Sequence, residues 1–214
     1  MDEIIEEIVP KKKEKKKEVK KALFLQRLFA FVIDTFLVAV VVSLITTPFI
    51  DTKKEEEITD QSVEIIQKYA NQEISLEEYS AQYMTSAFQL AKVTGISSIV
   101  SILISVIYFV VYQTRMNGQT LGKKVMKIRV VSTDGDLFYN QMIFRSMIAN
   151  SILVNLILFI CLLFDSSYIY FYSTMIFQSI QYLITFVSVI MVMNKNNGLA
   201  LHDRIVHTMV VREN

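Results

Sequence analysis

Arg27 and Asp34 are the residues around which the chemistry of this sequence has to be built. They stand seven positions apart in Gln26-Arg27-Leu28-Phe29-Ala30-Phe31-Val32-Ile33-Asp34, which opens an apolar run ending near Ile50. At 100° per residue, seven positions return to nearly the same helix face, about 10 Å further along the axis. An arginine at a helix mouth can snorkel to water. An aspartate two turns inside hydrocarbon needs a partner, a wet cavity or a proton. Two chemistries fit. In one, Asp34 takes up and releases a proton or cation, with Arg27 biasing its charge. In the other, Arg27, Asp34, Arg145 and Asp203 form a structural charge network, with Arg204 as a further arginine able to reach in. Both place Asp34 towards the interior of a helix bundle, near an arginine or a polar cavity.

The other candidate motifs carry less. Gly118-Gln119-Thr120-Leu121-Gly122-Lys123-Lys124 has glycine spacing similar to a phosphate loop. It lacks the full pattern, and the element before it is a membrane helix instead of a buried strand. The glycines therefore read as turns at a membrane surface, and the lysines as partners of headgroups or helix-end carbonyls. His202 and His207, five apart, do not share a helical face, so metal binding is not expected. No nucleophile with a base at recognisable spacing supports catalysis. The single cysteine, Cys161, lies in an apolar run and reads as an inert buried thiol. The expectation is a protein that is not an enzyme and carries no cofactor or metal.

These residues must be positioned by membrane helices. Hydrophobic residues make up 52% of the chain and are gathered into runs, which place spans at about 28–50, 96–112, 147–164 and 168–193. The net charge of +1 hides local asymmetry, and nothing in it suggests nucleic acid. Residues 1–21 form a basic tail whose lysines, from Lys11 to Lys21, favour a cytoplasmic N-terminus and can meet anionic lipid headgroups. Residues 51–95 are acidic and helical, with Ser75-Leu76-Glu77-Glu78 as a capping box. They read as an extracellular insertion whose last helix can run on into the second span. Ile128 to Val131 alternates like a strand, and Thr133-Asp134-Gly135-Asp136 is turn chemistry, which together predict a short cytoplasmic β-hairpin. The strand is also expected to approach Thr208 to Val211, with Leu137 to Tyr139 as a further piece. Asn140 is placed to cap the third span. Depth arithmetic puts Ser105, Asn150, Thr185 and Ser188 at about the level of Asp34. That level is either a hydrogen-bonded plug or the floor of a cavity. The fold class is an all-α integral membrane protein, a four-helix bundle with both termini cytoplasmic.

Taken in order, these motifs resemble the RDD family of membrane proteins, named for one arginine and two aspartates. Arg27 and Asp34 match the first-helix pair. Gly118, Gln119, Thr120, Gly122 and Lys123, followed by Ile128-Arg129-Val130-Val131, resemble the family's cytoplasmic segment. Arg145 resembles the arginine entering the next helix, and His202-Asp203-Arg204 the C-terminal end, which makes Asp203 the second aspartate. The resemblance covers residues 22–212, with 51–95 as an insertion. It implies a multi-pass module of the cell membrane that binds a protein partner or a second copy of itself, or an ion- or proton-coupled transporter centred on Asp34.

Overall fold

The computed structural model describes residues 20–194 and 198–213. The lysines from Lys11 to Lys17, and Lys195, lie outside them. Helix α1 (Phe24–Thr46) starts where the Gln26 side chain accepts a hydrogen bond from the Leu23 N–H at 3.1 Å. Of its residues only Ala30, Asp34 and Thr46 are buried against protein, while Phe36 and Leu44 are 71% and 73% exposed. A helix apolar all round and mostly uncovered is one whose surroundings are lipid. A short 3-10 turn, Thr47–Phe49, ends it at Pro48.

Helices α2 (Thr52–Ala70) and α3 (Leu76–Val93) pack on each other. Asp51 caps the first, and a Ser75–Glu78 capping box opens the second. A 2.6 Å Ser62–Ser86 bond and a Tyr69–Tyr79–Tyr83 ring stack hold the pair together. One residue, Thr94, breaks the chain before α4 (Gly95–Arg115), so the insertion does not run on as one helix. A π turn over Ile107–Tyr112 lies inside α4.

The remaining elements are α5 (Leu121–Val125), β1 (Ile128–Ser132), α6 (Tyr139–Ala149), α7 (Ile152–Leu162), α8 (Ser167–Met193), α9 (Leu201–Ile205) and β2 (Thr208–Arg212). Among the described residues, three helical stretches are long and apolar enough to cross a membrane: Phe24–Phe49, Gly95–Arg115 and Ser167–Met193. The expected third span, 147–164, is instead a bent pair. It starts at Tyr139, and α6 and α7 meet at 66°. The cause is local: Ser151 has φ 56°, a left-handed conformation that ends a helix. Phe138, not Asn140, is the N-cap, its N–H bonded to the Gln141 side chain.

The sheet meets one expectation, the approach of β1 to Thr208–Val211, and departs from another, because among the described residues β1 has no local hairpin partner. It pairs antiparallel with β2, Val130 opposite Val210, and Leu137 to Tyr139 form no strand. Residues after Ser132 turn directly towards α6, and the far edge of β2 is met by Lys20 to Ala22. Ile128, Val130 and Val210 pack with Ala22, Ala30, Val110 and Met142, so the sheet seals one end of the helices.

Candidate functional site

Asp34, 1% exposed, faces inward from α1. Its Oδ1 accepts from the Tyr108 hydroxyl at 2.6 Å and the Gly122 N–H at 2.8 Å, and its Oδ2 accepts from the Thr120 hydroxyl. The donors come from one construction. Thr120 caps α5, taking the Lys123 N–H on its oxygen at 3.3 Å, and the Tyr108 oxygen takes the Leu121 N–H at 3.0 Å. The three backbone donors left open at the start of α5 are thus all satisfied. Each hydroxyl accepts a backbone N–H and turns its own proton to Asp34. The carboxylate acts purely as acceptor. The π turn in α4 carries Tyr108, and such turns recur where a helix must present a side chain to a site. Gly118, at φ 85°, lies against the Val130 backbone, while the Gln119 side chain donates to the Ile128 carbonyl. Together they fix α5 under α1.

Lys123 Nζ lies 3.9 Å from Asp34 Oδ2, too far for a hydrogen bond. Burial, and then the nearby Arg145 charge, pull its ammonium down to about 7, against the attraction of Asp34 and Asp203.

The second centre is Asp203 on α9, also 1% exposed. Arg145 Nε donates to its Oδ1 at 3.0 Å, Thr208 donates to the same oxygen at 3.2 Å, and Arg27 reaches Oδ2 at 3.4 Å. Arg27 also donates to the carbonyl of Gly198 at 2.8 Å. Burial opposes the charge of Asp203, yet the two guanidiniums hold its carboxyl below the ordinary aspartate range. His202, 3.6 Å from that carboxylate, is pushed down to about 4 by burial and by Arg145, and is neutral at pH 7. Among the described residues, no cluster of three or more His, Cys, Asp or Glu could hold a metal.

The five charged residues singled out from sequence therefore divide. Arg27, Arg145 and Asp203 form one centre. Asp34 belongs to another, with Tyr108, Thr120 and Gly122, and Arg204 is exposed away from both. Sequence reasoning missed Tyr108, Thr208 and His202 as partners. The available signal was a tyrosine on the polar face of the second span and a threonine five residues after Asp203.

Two cavities meet here. One, of about 950 Å³, is lined by Thr46, Ser97, Ser101, Ser105, Asn155 and Gln178 among others. The second, of about 300 Å³, holds Asp34, Lys123, Arg145, Asp203, Thr185 and Ser188 on its walls. Phe31, Phe109 and the Ala149–Ser151 break line both. Asn150 also lines both, so the level expected from depth divides, with Ser105 in the larger cavity and Thr185 and Ser188 in the smaller.

The sequence model of the RDD family matches residues 21–207. No curated protein and no solved structure matches the chain.

Proposed function

The chain belongs to the RDD family, and from that premise we propose that it is a non-catalytic, multi-pass module of the cell membrane. Its two buried carboxylates lock a cytoplasmic cap onto a four-span bundle. The observation that carries this reading is that Asp34 and Asp203 each accept three hydrogen bonds from within the chain. Asp34 ties α5 to α1, and Asp203 ties α9 and β2 to α1 and α6. The acidic face of α2, with exposed Glu56, Glu57, Asp60 and Glu64, is the surface offered to a basic partner on the outer side. Purified protein in proteoliposomes tests the proposal. Proton and monovalent-cation flux should equal that of protein-free vesicles, and Asp34→Asn should lower the unfolding midpoint.

A second reading, ion- or proton-coupled transport through Asp34, is favoured by one observation. The two cavities approach each other at Phe31, Phe109 and Asn150, with Asp34 on the wall of the smaller. It requires measurable flux that Asp34→Asn abolishes while the variant still inserts and melts normally. That result would displace the module reading.

A further inference from the structure

Helix α1 packs chiefly on α4 and α5, and α8 packs on α7, α3 and α9, so the first and last spans hardly touch. The cavity of about 300 Å³ lies between them. Its walls are Phe24, Leu28 and Phe31 from one side and Ile184, Val189 and Val192 from the other. At its sheet-facing end stand three cations, Arg27, Lys123 and Arg145, against two carboxylates, Asp34 and Asp203. Asp203 takes both arginines, and Asp34 takes three neutral donors. Three cations against two carboxylates leave one positive charge over at this end, beside an apolar wall, and an uncompensated charge in such a place calls for an anion. Two polar atoms on the lining residues are buried with no hydrogen-bond partner, Nε of Arg27 and Oγ of Ser188.

We propose that this gap binds one anionic phospholipid from the bilayer, with its phosphate at Lys123 and Arg27 and an acyl chain between α1 and α8. The placement follows the chain ends. Arg27 sits in the first turns of α1 and Val192 in the last turn of α8, so the cations lie at headgroup depth. Phe31 and Ile184 lie further into hydrocarbon. A small soluble anion would balance the surplus charge but leave the apolar walls bare, whereas a lipid covers both. The volume is at the low end of small-ligand sites, about right for part of one chain and too small for a folded partner. This site is distinct from the basic surface that any membrane protein presents to headgroups, because its cations are inside the bundle. It does not depend on whether the protein transports anything.

The test uses full-length protein in detergent, titrated with phosphatidylglycerol, phosphatidylcholine or inorganic phosphate. Melting temperature and lipid retained by native mass spectrometry are the readouts. Phosphatidylglycerol is expected to raise the melting temperature and remain bound at about one per chain, while the other two do neither. Lys123→Gln should weaken phosphatidylglycerol binding about fivefold, and Val189→Trp, which fills the gap, should remove the retained lipid. Lys124→Gln, at an exposed lysine, is the control and should change nothing. Equal retention of the two lipids, an equal response to inorganic phosphate, or equal effects of the two lysine changes would overturn the proposal. So would a Leu28→Cys disulfide dimer forming in bilayers, which would show that a second copy fills the gap.

Discussion

A methyl group on Gly122 would sit 2.3 Å from the carbonyl oxygen of Ala30 and 2.8 Å from Oδ1 of Asp34. Backbone cannot yield at that distance, so Gly122→Ala must push α5 off α1 and take three hydrogen bonds with it. It is expected to lower unfolding stability by at least about 2 kcal/mol, read by chemical denaturation in detergent. Asp34→Asn keeps the shape but turns an amide towards a donor, and should cost about 1–3 kcal/mol. His202 gives a pH signature. Its folded value is near 4 and its ordinary value 6.5, so in that window the unfolded chain binds a proton that the folded chain refuses. Stability is full above 6.5 and falls as pH drops towards 4, by at most about 3 kcal/mol, and the lowered Asp203 adds loss in the same direction at more acid pH. His202→Gln should flatten the melting temperature across that window, and an unchanged slope would remove His202 as its source. The partnership of Asp34 with Thr120 and Gly122 was not legible in sequence, because these residues lie 86 and 88 positions from it. The inward direction of Asp34 was legible, since hydrocarbon leaves a carboxylate few other places to point.

Among the elements, the broken span is the clearest case of information that periodicity does not carry. Asn150 and Ser151 look like two polar positions in a continuous apolar helix, yet one left-handed residue turns the axis by 66°. Ser151→Gly should be neutral or stabilising, by up to about 1 kcal/mol, because glycine adopts that conformation without a steric cost. Ser151→Val should be destabilising. Matching losses for both would mean that the hydroxyl, not the backbone, matters. Three of the four expected spans, at about 28–50, 96–112 and 168–193, coincide with long apolar helices, because length and apolarity suffice for that. Pairing was visible in part: the strand character of β1 and β2 lies in Val130, Val131, Val210 and Val211, and so did their approach. The absence of a local hairpin did not. The Asp203 centre joins α1, α6, α9 and β2, so its energetics belong to this scale as well. Asp203→Asn leaves two buried guanidiniums facing a neutral amide and should cost about 3–5 kcal/mol. Adding Arg145→Leu should recover part of that, because orphaning a charge is worse than removing both. A double change costing the sum of the singles would show that the two groups do not interact.

For the whole molecule, the two ends differ in kind. At one end Lys92 pairs with Asp165, joining the insertion to the short loop before α8. That end carries nine acidic residues against four lysines over 51–95. At the other end lie α5, the sheet and both charge centres, and 113–145 carries six basic residues against two acidic. Basic segments near span ends stay on the cytoplasmic side, so the sheet end is expected inside and the helical insertion outside. The expectation is consistent with the packing, since β1 and β2 form one sheet and must emerge on one side. Two exposed positions report it. With Cys161 replaced by serine, Gln67→Cys should react with an impermeant maleimide on intact cells, and Asp136→Cys only after permeabilisation. A disulfide between Val130→Cys and Val210→Cys, which face each other across the sheet, should form in the same membranes and join the two inner segments. Reaction of Asp136→Cys from outside would refute the orientation. If the disulfide still formed, the fold would stand and be inverted; if it failed as well, the sheet and the sidedness would fall together.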